Sequence, residues 1–342
     1  MMKQKKNPLT LPYLLALTTV IIGILCYAGW NFTLKKYSGE EHRLIIPSGS
    51  SESAISDSLS NIDSSFGFKV RTIWKLAGGK PERAAGYYLI TPGMTPVDVA
   101  RKLKRGEQTP IRVTFNNIRT FNQLADRISS KFDFSPEEFI SASDSILQES
   151  GFRSRAEYPA AFIPDTYEFY WNATPQKVVR KLLEYRNRFW DTERRKQAEK
   201  LGLNPVKVAT IASIVEEESA KISERPTIAA LYMNRLKKGM PLQADPTVKF
   251  AIGDFSIRRI SGDMLKVNSP YNTYKVQGLP PGPIRIPDKT TLQQVLDAPE
   301  NDYLYMCAKE DFSGYHNFAV DFATHQKNAA KYRAELNRRG IR

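Results

Sequence analysis

The clearest periodic pattern of apolar and polar positions in the chain begins at residue 204. Asn204 and Pro205 are typical of the N-cap and the first turn of a helix, so a helix is predicted to begin there. At about 100° per residue, the apolar positions that share one face of this helix are Ile211, Ile214, Val215 and Ile222. The pattern predicts a helix with one side packed in the core.

Three consecutive glutamates lie near the end of this helix and are separated by its phase. Glu216 and Glu217 are predicted to lie off the apolar face, whereas Glu218 lies on it. Loss of water around a carboxyl raises its pKa and keeps it protonated, as a general acid for cleaving an acetal bond requires. The alternative is a structural acid that pairs with a cation such as Arg225 or turns outward.

An uncharged, mostly apolar run over residues 9–34 predicts a helix that spans a membrane, because its length is close to the ~20 residues needed. The aromatic residues near its ends, where interfacial side chains are common, are Tyr13, Tyr27 and Trp30. The alternatives are a cleaved signal peptide and a lipoprotein site at Cys26. No small-x-small cleavage site follows the run, and bulky residues precede Cys26, so an uncleaved anchor is favoured.

Lysines flank both ends of this run, and the denser group at its start favours a cytoplasmic N-terminus. That group consists of Lys3, Lys5 and Lys6. Everything after residue 36 is therefore expected to lie outside the cytoplasm.

Residues 41–115 are predicted to form a small α+β module. Alternating or apolar runs predict strands at residues 44–46, 86–90 and 111–115, and amphipathic runs predict helices at 68–76 and 97–103, the second ending at Gly106. The rest of residues 38–65 is rich in serine and glycine and suggests no further element.

The second half of the chain reads as mainly helical. Helices are predicted within residues 120–150, where Ser135 caps the second of them, over 178–200 as one long helix, and over 227–236. Residues 161–171 are aromatic and are expected to be buried, with a break at Pro164. The loops that follow, over residues 239–248, 270–274 and 278–284, are rich in proline and glycine. They suit a rigid groove for a ligand rich in hydroxyl and amide groups, or are simply well-capped connections.

The charge of the chain favours an anionic partner. Its formal net charge is +14, and residues 1–36 contribute five lysines and no acid. Nucleic acid, lipid head groups and an acidic polymer would all fit, but no zinc-finger or RNP-like motif supports a nucleic-acid role. With three histidines, two cysteines and no HExxH or CxxC pattern, neither a metal site, another cofactor nor an internal disulfide is expected.

Several blocks of the sequence together carry a resemblance to a known family. They are Phe162-Ile-Pro-Asp-Thr-Tyr167, Ala212-Ser-Ile-Val-Glu-Glu-Glu-Ser219, Ser223-Glu-Arg225, Asn234-Arg235, Leu242-Gln-Ala-Asp-Pro-Thr-Val248, Tyr271-Asn-Thr-Tyr274, Leu279-Pro-Pro-Gly-Pro-Ile284, Tyr303-Leu-Tyr305, and the pair His316 and His325. In this order and spacing they resemble the MltG (YceG-like) endolytic murein transglycosylases. The resemblance covers nearly the whole chain.

The resemblance implies an α+β protein with three parts. Residues 1–36 would be a cytoplasmic tail and single-pass anchor in the inner membrane, 37–118 a LysM-like module, and 119–342 a mixed α/β catalytic domain of YceG-like type in the periplasm. It implies cleavage of the bond between N-acetylmuramic acid and N-acetylglucosamine in nascent glycan strands, with 1,6-anhydromuramoyl ends and a limit on strand length. Peptidoglycan synthases become candidate partners.

The resemblance also assigns site residues. The family's catalytic acid is the glutamate followed by a small hydroxyl residue, which here is Glu218. The candidates for binding the sugar are Ser219, Gln243, Asp245, Asn272 and Tyr274, each with a structural role as its alternative. The chain departs from the family pattern at Glu217, where a basic residue is familiar, and this extra charge is expected to raise the pKa of Glu218.

Two other functions stay open. Asp245, as a second carboxylate, would permit hydrolysis, so a muramidase is the alternative enzyme. The alternative from another class is a membrane-anchored scaffold that binds peptidoglycan and in which Glu218 is structural.

Overall fold

The computed structural model describes residues 10–257 and 259–340. Its α-helices are α1 (Thr10–Thr33), α2 (Glu52–Ser60), α3 (Ser64–Leu76), α4 (Pro81–Ala84), α5 (Pro96–Arg105), α6 (Phe121–Ser129), α7 (Pro136–Glu149), α8 (Pro175–Phe189), α9 (Thr192–Lys200), α10 (Pro205–Glu218), α11 (Arg225–Lys237), α12 (Asp245–Ile252), α13 (Lys289–Leu296) and α14 (Phe322–Arg338). Its strands are β1 (His42–Ile46), β2 (Gly86–Ile90), β3 (Ile111–Phe115), β4 (Asp165–Phe169), β5 (Tyr305–Ala308) and β6 (His316–Ala319). The predicted α+β class is confirmed.

Helix α1 contains the predicted apolar run. Its 24 residues, at about 1.5 Å each, exceed the ~30 Å of a hydrocarbon core. The stretch Pro12–Thr33 has a mean hydropathy of 1.8 and none of its most apolar part is buried by the protein. The helix is therefore long and apolar enough to cross a membrane. The basic group of Lys3, Lys5 and Lys6, used above to predict orientation, lies outside the described residues.

The described residues divide into two compact units, the first running up to residue 112 and including 168–173, the second comprising 113–167 and the residues from 174 onward. In the first unit β1 and β2 form an antiparallel pair in which Leu44 lies opposite Tyr88. The core of this unit is fully buried around Leu59, Val70 and Trp74, which come from α2 and α3. The predicted strands over 44–46 and 86–90 and the predicted helices over 68–76 and 97–103 are confirmed.

One element of the first unit was not predicted. Helix α2 lies within the serine-rich stretch that suggested no element, and begins where the Ser51 hydroxyl accepts a hydrogen bond from the Ala54 amide at 3.2 Å. Ile55 and Leu59, four residues apart, are its buried apolar positions. Two apolar side chains at positions i and i+4 lie on one face of a helix, and packing them in a core is enough to stabilise a helix this short.

The second unit contains α6 to α14 and the β5–β6 hairpin, whose strands are antiparallel. The single helix predicted over residues 178–200 is wrong, because the chain breaks between α8 and α9. Asp191 stands at the break and accepts a hydrogen bond from the Arg194 amide at 2.8 Å, which starts the second helix. A capping aspartate in the middle of a polar helical pattern was the signal for this break.

Helix α10 lies at the centre of the second unit. Its start is as predicted, since the Asn204 side chain accepts a hydrogen bond from the Lys207 amide at 2.9 Å. Every residue from 208 to 216 is buried, so this is a core helix covered on all sides and not one with a single apolar face.

Two predictions from the helical wheel are wrong, the first because α10 is covered on all sides and the second because the helix ends at Glu218. Glu216 is buried, at 7% exposure, instead of lying off the apolar face. Ile222 lies beyond the end of the helix in a short 3₁₀ turn and is 56% exposed.

Candidate active site

Glu218 is the last residue of α10, and the residue after it turns the chain. Ser219 is extended, with φ −134° and ψ 125°, and its hydroxyl accepts a hydrogen bond from the Lys221 amide at 3.0 Å. The carboxyl of Glu218 is thus presented at the end of a buried helix, where the chain leaves the core.

The three consecutive glutamates have different partners. Arg285 binds Glu216 at 3.0 Å and Glu217 at 2.7 Å, and Arg119 binds Glu217 at 3.1 Å. Among residues 10–257 and 259–340, no lysine or arginine nitrogen pairs with Glu218 within 4.0 Å. Glu216 and Glu217 therefore belong to an ion network that does not include Glu218.

The hydrogen-bond partner of Glu218 is neutral. The hydroxyl of Tyr232, on α11, donates to Glu218 Oε1 at 2.8 Å. The cation suggested as a structural partner, Arg225, instead donates to the Ser219 carbonyl and to the Thr291 hydroxyl.

The pKa of Glu218 is raised from 4.5 to about 7. The largest cause is burial, which disfavours the anion, and the charge of Asp245 acts in the same direction. The hydrogen bond from Tyr232 and the charges of Lys249 and Arg235 oppose this effect. The predicted influence of Glu217 is not among the main causes, which agrees with its pairing to two arginines. The carboxyl can therefore be protonated near neutral pH.

Glu218 opens into a cavity of about 300 Å³. The residues that line it are Glu218, Leu231, Tyr232, Arg235, Leu242, Gln243, Asp245, Tyr274, Met306, Cys307, Ala308, His316 and His325. They come from α10, α11, the loop before α12 and its first residue, the 270–274 loop, both strands of the hairpin and α14. The cavity combines one carboxyl of raised pKa with several hydrogen-bonding groups, as a site for a polar ligand requires.

Three of the five predicted sugar-binding residues line this cavity, namely Gln243, Asp245 and Tyr274. The Tyr274 hydroxyl donates to Asp245 Oδ1 at 2.6 Å, which fixes both side chains. Gln243 has φ +51°, an uncommon backbone conformation for a residue other than glycine, and accepts a hydrogen bond from Arg235 at 3.3 Å.

The other two predicted residues, Ser219 and Asn272, are buried and are not among the residues that line the cavity. The Asn272 amide donates to the carbonyls of Leu265 and Val267 at 2.9 and 2.8 Å, and its oxygen accepts from the Tyr274 amide at 3.1 Å. Their polar groups form hydrogen bonds within the protein, so they support the loops that carry the cavity residues.

Sequence reasoning missed Tyr232 and Arg235 as members of the site. Arg235 donates to the carbonyls of Leu304 and Leu242 at 2.6 and 2.9 Å, and so ties two walls of the cavity together. The available signal was their spacing, because side chains three residues apart in a helix lie on one face.

One predicted groove segment lies elsewhere. Residues 278–281 line a separate cavity of about 740 Å³ beside Asn204 and Lys207, at the opposite end of α10. Fourteen residues of helix separate the two ends by about 21 Å. The smaller cavity is the candidate active site because it contains the acid with the raised pKa.

Comparison with known proteins gives consistent matches. A family model described as the YceG-like family matches residues 44–331. A Bacillus subtilis (strain 168) protein named endolytic murein transglycosylase is 31% identical over 312 residues, which is 85% of either chain. A Streptococcus pneumoniae protein of the same name is 26% identical over 283 residues, and the match covers 72% of this chain and 50% of that relative. The chain thus spans about half the length of the pneumococcal protein.

A solved structure extends the comparison to the fold. The crystal structure of a yceG-like protein from Listeria monocytogenes has a TM-score of 0.54 and 27% sequence identity to this chain. The match covers 85% of this chain and 99% of the Listeria chain. The resemblance inferred from the sequence blocks is confirmed: this chain belongs to the YceG-like family.

Proposed function

We propose that this protein is an endolytic murein transglycosylase. It would cleave the bond between N-acetylmuramic acid and N-acetylglucosamine within glycan strands and leave 1,6-anhydromuramoyl ends. The observation that carries the proposal is the setting of Glu218, whose carboxyl faces a cavity, pairs with no lysine or arginine among the described residues, and has its pKa raised to about 7. The names of the Bacillus and Streptococcus relatives support the same reaction class.

In the proposed mechanism Glu218 acts twice. Its carboxyl donates a proton to the glycosidic oxygen as the bond from that oxygen to C1 of the muramoyl residue breaks. The resulting carboxylate takes the proton of the muramoyl 6-hydroxyl while that oxygen bonds to C1. The acid is regenerated and no water is consumed, so one carboxyl is sufficient.

Asp245 and its neighbours have a supporting role in this mechanism. Positive charge develops at C1 as the glycosidic bond breaks, and a carboxylate in the same cavity stabilises it electrostatically. The hydrogen bond from Tyr274 holds Asp245 in one position, and Gln243 is available to position the sugar.

Asp245 also supports the alternative of a hydrolytic muramidase. Two carboxyl groups in one cavity, with charges that influence each other, are the arrangement that glycosidases use to activate water. The choice between the two reactions depends on which nucleophile reaches C1 first.

Fragment analysis tests the proposal. We expect the full-length protein in detergent to release fragments with anhydro ends from purified murein, detected by mass spectrometry. Fragments with reducing ends would indicate a hydrolase, and murein binding without fragments would indicate a scaffold; either result would overturn the proposal.

Activity should depend on pH through Glu218. The protonated acid is needed first, so the turnover rate should fall as pH rises through about 7. Replacing Tyr232 with phenylalanine removes a hydrogen bond that favours the carboxylate, so the pKa of Glu218 should rise. The alkaline limb of the pH–rate profile, where the turnover rate falls, should therefore move to higher pH. A pH–rate profile of both proteins checks this, and an unchanged limb in the Tyr232→Phe variant would contradict it.

The same group makes stability depend on pH. Between its unfolded pKa of about 4.5 and its folded pKa of about 7, the native state binds more protons than the unfolded state, so the free energy of unfolding falls as pH rises. Above pH 8 the free energy of unfolding should be lower by at most roughly 3 kcal/mol than below the unfolded pKa, because solvent screens part of the effect at this half-buried carboxyl. Urea unfolding of wild type and Glu218→Gln at pH 5 and pH 8 measures it. The variant should be the more stable of the two only at pH 8.

The remaining assignments extend the proposal to the whole chain. Helix α1 would anchor the protein in the inner membrane with the N-terminus in the cytoplasm, and residues 37–118 and 119–342 would form a LysM-like module and a periplasmic catalytic domain. The order β1, α2, α3, β2, with only the four-residue α4 before the second strand, supports the LysM-like part. Placed there, the enzyme would limit the length of glycan strands beside peptidoglycan synthases.

Protease digestion of spheroplasts tests the orientation. The protease should degrade the part of the protein that follows the anchor and leave the anchor itself.

A further inference from the structure

The proposed mechanism leaves one wall of the cavity without a role. This wall comes from the β5–β6 hairpin and α14, and its members are Met306, Cys307, Ala308, His316 and His325. It carries two imidazole rings whose surroundings differ, and the difference determines what each ring offers to a ligand.

His316 is oriented by a buried carboxylate. Its ring Nδ1 lies 3.0 Å from Glu224 Oε2, and its backbone amide donates to Glu224 Oε1 at 2.8 Å. Glu224 is only 8% exposed, so this carboxylate fixes the proton of the ring on Nδ1. With the proton on Nδ1 alone, Nε2 is a hydrogen-bond acceptor, and His316 lines the cavity.

His325 has the opposite arrangement. Its Nδ1 is buried and has no hydrogen-bond partner among the described residues, and its ring stacks on Tyr305 with centroids 5.4 Å apart. Burial lowers the pKa of His325, and the charges of Arg235 and Arg333 lower it further, so the ring is neutral. A buried lone pair without a partner costs less than a buried N–H without one. The proton therefore lies on Nε2, and His325 offers a donor to the cavity.

A small apolar surface adjoins these two polar groups. Ala308 lies directly opposite His316 in the hairpin, so the two side chains share one face of it, and Met306 lies two residues along the same strand. One acceptor, one donor and a place for a methyl group match the three parts of an acetamido group, namely its N–H, its carbonyl and its methyl.

We propose that His316 and His325 recognise an acetamido group of the glycan next to the bond that is cleaved. His316 accepts a hydrogen bond from the amide N–H, His325 donates one to the carbonyl, and Ala308 contacts the methyl. This inference rests on the proposed function and adds the residues that select an N-acetylated sugar. The two histidines are binding residues here and take no part in proton transfer.

Isosteric substitutions separate the two nitrogens of each ring. Glutamine places its terminal amide near Nε2 of histidine, and asparagine places it near Nδ1. His325→Gln therefore keeps a donor in the cavity, and His325→Asn removes it. His316→Asn keeps the contact with Glu224 and removes the acceptor, whereas His316→Gln keeps a polar atom in the cavity and loses that contact.

The experiment compares kcat/KM of the full-length proteins in detergent on murein and on chemically de-N-acetylated murein. Wild type should prefer the acetylated glycan. His325→Asn should reduce that preference about five- to tenfold, the effect of one neutral hydrogen bond, while His325→Gln retains it. His316→Asn should lose activity on acetylated murein mainly through KM, and His316→Gln should lose thermal stability.

The outcomes distinguish this inference from the proposed function. If wild type cleaves both glycans equally, or if the asparagine and glutamine variants of His325 keep the same preference, the acetamide assignment is wrong and the transglycosylase proposal stands. If wild type cleaves neither glycan, the proposed function itself is wrong and the assignment falls with it.

Discussion

Replacing Glu218 with glutamine is expected to abolish murein cleavage while the protein stays folded. Glutamine keeps the shape of the side chain and can still accept the hydrogen bond from Tyr232, but it cannot give up and regain a proton. A general acid contributes about 10² to 10⁴ to a rate, and this group is used in both halves of the proposed reaction, so a loss of at least about 10³ is expected. Release of soluble fragments from murein measures it.

Glu217, the residue before it, provides a matched control. Glu217→Gln removes a carboxylate from the same turn of α10, but one that is paired with Arg119 and Arg285 instead of facing the cavity. This variant should melt at a lower temperature and still cleave murein below that temperature. If Glu218→Gln retained more than about a tenth of the wild-type rate, another group would have to supply the proton.

Replacing Arg285 with methionine is expected to produce the largest loss of stability. The Arg285 guanidinium pairs with Glu216, whose side chain is 3% exposed, and with Glu217. Removing one partner of a buried ion pair leaves an uncompensated charge and typically costs about 3 to 5 kcal/mol. Glu217 keeps Arg119, so most of the cost should come from Glu216. Urea unfolding of the full-length protein in detergent measures the change.

Two further variants make this result specific. The double variant Arg285→Met with Glu216→Gln should recover most of the lost stability, because it also removes the unpaired charge. Arg338→Met breaks an ion pair with Glu335 in which the arginine side chain is 71% exposed, so its effect should stay below about 1 kcal/mol. A loss at Arg285 no larger than that at Arg338 would show that the buried network does not stabilise the fold.

Local signals predicted most elements of the fold. The boundaries of α5 and α10 follow from residues within one turn, such as the Thr95 capping box, the left-handed Gly106 and the Asn204 cap. Propensity and capping depend on neighbours in sequence, so they are readable from it. The prediction of one helix over residues 178–200 failed because the wider helical pattern was given more weight than the local cap at Asp191.

The sequence alone identified one of the three consecutive glutamates as the candidate acid. The phase of α10 and the resemblance to the YceG-like family both selected Glu218, and the structure puts that residue in a cavity with Gln243, Asp245 and Tyr274. Periodicity did not predict the burial of Glu216, because it assumes that a helix has a solvent side, and α10 has none.

Only the tertiary structure decided what each acid does. Glu217 pairs with Arg285, 68 residues further along the chain, and with Arg119, 98 residues before it. Glu218 instead accepts a hydrogen bond from Tyr232. Glu224 meets His316 across 92 residues. Partners at such separations are chosen by how helices and loops pack, and no local pattern encodes that choice. Since burial and charge partners set the pKa of a carboxyl, folding is what raises the pKa of Glu218 and pairs its two neighbours with arginines.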